Sequence, residues 1–258
     1  MPIIWGRRVV TEALRSQRGV RRVMFGAAPT TDAALADIER IARSDRVQVQ
    51  VLERRALDRI ANTDHHQNVI AEVVEFKYAS IDDIIAVSAE RNEPSLIVAL
   101  DHVQDPRNFG TLIRTAEAVG AHGVIIPRDR AVAVTPGVEK ASSGAIEHIA
   151  IAEVTNLNRC LDDLKKQGVW IVGLDAEGSD RLETIAADGP LCLVVGAEGT
   201  GLSRLAREKC DLLIRLPTIG KVASLNAAVA GSIALYDIYR RRARADGTIT
   251  LDAGVAQG

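Results

Sequence analysis

Apolar and polar positions in the first 76 residues switch repeatedly between a helical and a strand period. Arg7 to Leu14 (RRVVTEAL) reads as a helix and Val20 to Phe25 (VRRVMF) as a strand. A helix opened by Thr31 runs to about Ala42, with Ala34, Leu35, Ile38 and Ile41 at helical spacing. Val47 to Leu52 (VQVQVL) alternates as a strand, and Asn68 to Phe76 is a further strand. The order, helix then strand three times over, predicts a compact three-layer or sandwich-like α/β module over residues 1–76.

The pattern changes over residues 77–94. SIDDIIAVSAE fits a short helix, and the charged, Pro-ended RNEP closes it, so the linker is placed here. From Ser95 onward strands and helices alternate. Strands are expected at Leu96 to Asp101, Gly123 to Pro127, IAIAEV, WIVGLD, LCLVVG and DLLIRLP. Helices are expected at Asn108 to Val119, Val138 to Ile146, Leu157 to Gln167 and Ser224 to about Arg242. Such alternation predicts a mainly parallel sheet with helices on both faces over residues 95–244. Residues 245–258 carry few large apolar side chains and are expected to be a mobile tail.

Composition supports that class. Hydrophobic residues make up 47% of the 258, yet aromatics only 3%, so Ala, Val, Ile and Leu must fill the core. The formal net charge of −2 excludes a globally basic nucleic-acid binder. Charge is unevenly placed, however. Arg7, Arg8, Arg15, Arg18, Arg21 and Arg22 crowd the N-terminus, and Arg240, Arg241, Arg242 and Arg244 the far end. Each cluster reads either as a phosphate-binding patch or as a solvated face. The three cysteines, Cys160, Cys192 and Cys210, have no metal-ligand spacing, so no disulfide framework and no metal is expected, and a reducing cytoplasm is the expected setting. No apolar h-region opens the chain and no apolar run is long enough for a membrane span, so neither a signal peptide nor a membrane partner is expected.

Three stretches carry candidate chemistry. GAEGTGLS, Gly196 to Ser203, follows an apolar strand and precedes a helix, a placement that lets backbone approach a ligand. Its G-x-x-G-x-G spacing and its late position argue against a dinucleotide loop, and no Lys-Ser/Thr follows for a Walker loop. Asp101 to Ala121 places Asn108, Thr111, Arg114 and Thr115 within two turns of a strand's C-terminal edge, where open α/β sheets bind ligands. The plain alternatives are a helix cap for Asn108 and a solvated helix face for Arg114. Leu216 to Leu235 runs from a strand through a loop with Gly220 and Lys221 into a helix near Ser224 and Asn226. Either residue could simply cap it, while Ala227, Ala228, Ala230, Gly231 and Ser232 admit close packing.

Taken in order, these stretches resemble the SpoU (TrmH-type) RNA ribose 2′-O-methyltransferases of the SPOUT superfamily. The matching residues are Asn108-Phe109-Gly110 through Arg114 with Ala116 and Gly120, Gly196-Ala197-Glu198-Gly199 with Gly201-Leu202, Leu216-Pro217, and Ser224-Leu225-Asn226. Gly6 to Leu14 and His65-His66-Gln67 resemble the ribosomal-protein-like RNA-binding domain found in front of many members. The family commonly has Gly where this chain has Asn68. Asn is the other residue that tolerates a left-handed backbone, so the turn is expected to survive.

The resemblance implies a C-terminal domain with a deep trefoil knot, a homodimer, and S-adenosyl-L-methionine (SAM) as cofactor. It implies catalytic roles for Asn108, Arg114, Glu198, Ser224 and Asn226, and a cofactor grip by Gly196, Ala197, Leu216 and Leu225. The target it implies is a guanosine ribose of 23S ribosomal RNA. Transfer RNA, a ribosomal site linked to antibiotic resistance, methylation of a base, and a catalytically silent RNA-binding protein of the same fold are the alternatives. Arg114 would either act deprotonated or position a phosphate that helps take the hydroxyl proton.

Overall fold

The computed structural model describes residues 1–16, 18–26, 32–129, 131–220, 225–245 and 247. It divides into two compact units. One comprises Met1–Tyr78, Asp105–Arg114 and Val132–Ile149; the other comprises Ala79–Gln104, Thr115–Ala131 and the chain from Ala150.

The first unit is built on a four-stranded sheet of β1 (Ile3–Trp5), β2 (Val20–Phe25), β3 (Gln48–Val51) and β4 (Val69–Val73), in the order β1-β4-β2-β3. The β1–β4 and β2–β4 pairs are antiparallel and β2–β3 is parallel. Strand alternation sends side chains to both faces. Val23 and Phe25 join Val9, Val10, Leu35 and Ile38 of α1 (Arg7–Arg15) and α2 (Ala33–Ser44). Met24 and Ile70 meet Leu57 and Ala61 of α3 (Arg54–Ala61) on the opposite side. The expected three-layer module is therefore present. Asp32 caps α2, accepting from the Ala34 and Leu35 N–H groups, and Thr31 lies outside the described residues.

In the second unit the stretch expected as a linker forms α4 (Ile81–Arg91). A capping box of Ser80 and Asp83 starts it, and Ile84 is fully buried in that unit's core. The sheet is seven-stranded, in the order β7-β6-β5-β10-β8-β11-β9, and every pairing is parallel. Its strands are β5 (Leu96–Asp101), β6 (Gly123–Pro127), β7 (Ala150–Val154), β8 (Trp170–Leu174), β9 (Asp180–Arg181), β10 (Leu191–Gly196) and β11 (Leu212–Arg215). Every residue of β5, β6 and β10 is buried, as a sheet covered on both faces demands. Ile97, Ala99, Ile125, Cys192 and Val194 face Leu157, Leu161 and Leu164 of α7 (Leu157–Lys166). The other face of β10 packs on α9 (Ala227–Ala245), whose Ala234, Leu235 and Ile238 are buried. That helix outlasts the expected end at Arg242, so Ala245 belongs to it rather than to a tail; of the expected tail only Ala245 and Gly247 are described. Its C-terminal Arg242 donates to the carbonyls of Ala187, Gly189, Pro94 and Ser95, fastening the helix to the starts of β5 and β10.

Helix α5 runs Pro106–Ala118 and α6 Pro136–Ser142. Gly110 brings them together: a Cβ there would run into Ala141 and the Ser142 nitrogen. The helix expected through Ile146 stops early, because Ser143 and Gly144 take left-handed angles and a 3-10 turn follows at Ala145–Glu147.

Candidate cofactor and RNA sites

The β10 strand ends on Gly196, and the chain turns at once. Ala197 N–H donates to the Gly201 carbonyl (3.1 Å) and Gly201 N–H returns a bond to Ala197 (2.9 Å). Gly199 and Gly201, at φ 82° and 67°, make that turn possible. Gly196 is required for a different reason from the expected one. A Cβ there would collide with the backbone of Gly201 and the Leu202 nitrogen, so the loop closes on itself rather than leaving that spot for a ligand. Ser203 then caps α8 (Arg204–Lys209), accepting from Ala206 N–H.

Around this loop lies a cavity of about 760 Å³ lined by Gly196, Ala197, Glu198, Leu216 and Leu225, with Asp175, Arg207 and Arg215 among its charged walls. Four residues expected to grip a cofactor thus share one cavity. Asn226 Nδ2 donates to Glu198 Oε1 at 3.4 Å. Asn226 Oδ1 accepts from the N–H groups of Ala228 and Val229, so it also caps α9. Ser224 and Lys221 lie outside the described residues. Asn108 and Arg114 belong to the other unit, on α5. Asn108 is buried and Arg114 exposed. The capping expected of Asn108 falls instead to Asp105, which accepts from Arg107 N–H at 2.8 Å ahead of Pro106. The Arg107 guanidinium bond, reinforced by that backbone N–H, holds the Asp105 carboxyl below its usual range.

Two groups near the loop escaped sequence reasoning. Asp101, buried at the end of β5, accepts from Ser203 N–H (2.6 Å) and lies 2.5 Å from His102 Nδ1, with His102 held at φ 61°. Asp175, at the end of β8, accepts from Arg207 (2.7 Å) and from Glu177 N–H (2.8 Å). The only sequence signal was a carboxylate closing each apolar strand.

The N-terminal arginine cluster is largely neutralised. Arg7 pairs with Asp32 (2.5 Å), Arg22 with Glu72 (2.8 Å), and Arg15 with Glu12 (3.5 Å). Arg18, 7% exposed, pairs with both Glu139 and Glu147 at 2.8 Å and lies over the Phe76 ring. Arg240 and Arg241 pair with Asp237, and Arg242 is spent on carbonyls. Neither cluster is simply a solvated face: carboxylates or carbonyls from distant sequence reach Arg7, Arg18, Arg22, Arg241 and Arg242, while Arg240 pairs within its own helix.

A family model described as the SpoU rRNA Methylase family matches residues 95–236, and one described as RNA 2'-O ribose methyltransferase substrate binding matches residues 3–79. The chain belongs to the SpoU rRNA Methylase family. The chain is 43% identical over 237 residues to "Putative TrmH family tRNA/rRNA methyltransferase YacO" of Bacillus subtilis (strain 168), covering 92% of this chain and 94% of the relative. The crystal structure of the SpoU methyltransferase AviRb from Streptomyces viridochromogenes with AdoMet is 26% identical. It covers 93% of this chain and 89% of its own, with a TM-score of 0.79. The AdoMet-bound rRNA methyltransferase from Sinorhizobium meliloti is 27% identical and covers 93% and 87%, with a TM-score of 0.75.

This SpoU protein is therefore a SAM-dependent RNA methyltransferase. Its own residues fit the cofactor. The cavity has the size of a small-molecule site, apolar walls at Val195, Leu216 and Leu225, and charges of both signs for a ligand that carries both. Asn68 has φ 67°, so the left-handed turn survives without glycine. Among the described residues no helix is long and apolar enough to cross a membrane, and no group of His, Cys, Asp or Glu could hold a metal ion.

Proposed function

We propose that the enzyme methylates the 2′-oxygen of a guanosine ribose in 23S ribosomal RNA, as a cytoplasmic homodimer that needs no metal. The observation that carries this reading is the pairing of the two family matches in one chain: a ribose-methyltransferase substrate-binding module precedes the methylase. The AdoMet-bound neighbour called an rRNA methyltransferase spans the same two-part length, which favours ribosomal RNA. The relative called a tRNA/rRNA methyltransferase keeps transfer RNA as the second reading.

SAM, when bound, supplies a methyl group that passes directly to a nucleophile. The chain's residues must then position a hydroxyl that is barely ionised at neutral pH and accept or relay its proton. Arg114 is assigned to the ribose. Its guanidinium is a poor base, but its planar fork can hold ribose and phosphate together. Glu198 and Asn226, bonded to each other, brace the glycine loop against the start of α9. In this assignment Asn108 orients Arg114 or the ribose, and Ser224 supports the substrate side. The exposed Val229, Ile233 and Tyr236 form one stripe along α9, an apolar face that favours the homodimer. The knot belongs to the same reading. Its support is a sheet order in which β8 separates β10 from β11.

The test is methyl transfer from labelled SAM to unmodified transcripts of 23S ribosomal RNA and of transfer RNA. Alkali-resistant dinucleotides then report ribose methylation. The expected product is a 2′-O-methylguanosine in the ribosomal transcript. Label in a base, or in transfer RNA alone, overturns the assignment.

A further inference from the structure

The first unit holds a second cavity, of about 660 Å³, lined by Gly26, Arg54, Asp64, His65, Gln67, Asn68 and Lys140. Its floor is a built turn. His66 is buried, with Nε2 bonded to Asp58 (2.8 Å) and Nδ1 accepting the Asn68 N–H (3.0 Å), which fixes the tautomer. Gln67 and Asn68 are both held left-handed, at φ 54° and 67°. Consecutive non-glycine residues in that region cost free energy and concentrate where backbone is shaped for a ligand. Gln67 Oε1 accepts the Arg7 N–H at 3.0 Å, which leaves its NH₂ to donate elsewhere.

The cations of this cavity differ from those of the N-terminal cluster. The side chains of Lys140 and Arg54 make no hydrogen bond or ion pair among the described residues, whereas those of Arg7, Arg15, Arg18 and Arg22 all have carboxylate partners. The Lys140 ammonium sits against Gly6, where a Cβ would meet it, and beside Gln67 Oε1. Burial lowers its pKa, the mark of a charge kept partly dry without a counter-ion. Arg55 and Arg59, exposed and likewise unpaired, extend the positive surface along α3.

We propose that this cavity takes one unstacked nucleotide of the RNA substrate, with its phosphodiester held by Arg54 and Lys140 and its base met by the Gln67 amide. The proposal rests on the RNA-methyltransferase reading and extends it, because Lys140 lies outside the matched substrate-binding segment. Single-stranded RNA is recognised by splaying bases out in this way, with donors on their edges. Asp64 on the rim disfavours a free phosphate, which carries more negative charge near neutrality than a backbone diester.

The experiment measures binding of full-length enzyme to unmodified 23S and transfer RNA transcripts across a salt series, using the tighter transcript. Arg54→Gln and Lys140→Gln should each weaken binding about fivefold and flatten the log K against log salt slope by about 0.7–0.9, the share of one phosphate contact. SAM affinity should not change. Arg43→Gln, whose arginine pairs with Glu39 on α2, should match wild type. In lysine-acylation footprinting, RNA should protect Lys140 but not the exposed Lys166, and inorganic phosphate at equal ionic strength should protect neither. Wild-type affinity and slope in the double variant would overturn the pocket while methyl transfer by the wild type leaves the enzyme reading standing. Protection of Lys140 by inorganic phosphate would make it a small-anion site and overturn the nucleotide. A wild type that binds SAM but neither binds nor methylates RNA would end both readings.

Discussion

The two units solve opposite problems with charge. In the first, a mixed sheet is tied down by ion pairs between residues far apart in sequence, and one of them, Arg18 with Glu139 and Glu147, is almost wholly buried. In the second, a parallel sheet is apolar along its central strands, and a cluster of charge gathers where those strands end, at Asp101, Asp175, Arg207 and Glu198. An arginine count therefore says little about where RNA binds. In the first unit four of the six N-terminal arginines are held by carboxylates, and the cations without partners among the described residues include Arg54 and Lys140 besides Arg8 and Arg21.

The comparison is broken most severely at Gly196. Gly196→Val would place a branched side chain into the Gly201 backbone. SAM binding by calorimetry should be lost altogether, while RNA affinity, which the proposal places on the first unit, should persist. Retained SAM affinity would mean that the loop shape is not what holds the cofactor. Next comes Arg18→Leu, which leaves two buried carboxylates without their cation. It should destabilise the first unit by about 3–5 kcal/mol. Glu139→Gln should change stability by less than about 1 kcal/mol, because burial already pushes that carboxyl's pKa up and its Oε2 has no partner. Hydrogen exchange resolved by peptide separates the two units. Equal losses for the two variants would refute the triad as a one-cation, two-anion device.

Arg114→Ala should lower single-turnover methyl transfer about 10²-fold, or about 2.7 kcal/mol, with SAM affinity and folding unchanged. Arg114→Lys should not restore it, since the planar fork is gone. Near-normal transfer by the alanine variant would return Arg114 to a solvated helix face.

The smallest effect is a divergence with pH. His122 is buried in the second unit, accepts Leu96 N–H at Nδ1 and bonds Glu93 through Nε2; burial lowers its pKa. The unfolded chain, with a His pKa near 6.5, then binds the proton more readily, so stability falls as pH drops below about 6.5, by at most about 1.4 kcal/mol per pH unit. Glu139 has the opposite sign. Its raised pKa lets the folded first unit bind protons first, so that unit gains stability as pH falls towards the usual carboxylate range. Opening free energies from exchange, after correction for the intrinsic pH dependence of amide exchange, should fall from about pH 7 to 5.5 in the second unit only, and His122→Gln should flatten the trend.

The same contrast explains what the sequence disclosed. The strands Leu96–Asp101, Gly123–Pro127 and Leu191–Gly196 were legible to the residue, because burial on both faces writes an unbroken apolar run. Ile3–Trp5 was not, since three residues of an edge strand have no period of their own. Nor was Asp180–Arg181. Ile84 was hidden inside a stretch whose charges resemble a linker, although its neighbours Ile81 and Ile85 pack with it. At the site, Gly196 and Leu216 were legible as a loop and a strand end, and Leu225 only through the resemblance. Asp101 and Asp175 were not, because Ser203 and Arg207 reach them only once the strand order is known.

That strand order also governs how the protein can be made. The strand β8 leaves the ribosome well before β10, yet its neighbours in the sheet are β10 and β11, both synthesised later. The sheet cannot zip up in the order of translation. A nascent chain arrested after Leu174 would hold β5, β6 and β7 as a partial sheet with β8 still waiting for a neighbour. Its largest exposed apolar edge would be β5, the one destined for β10. Completion waits for the last turns of α9, where Arg242 fastens the starts of β5 and β10. The first unit's β1 to β4 are all translated before the second unit's first strand. A polysome carrying this message would therefore display a nearly finished amino-terminal sheet alongside a half-built neighbour, and the half-built sheet is the part exposed to chaperones and proteases.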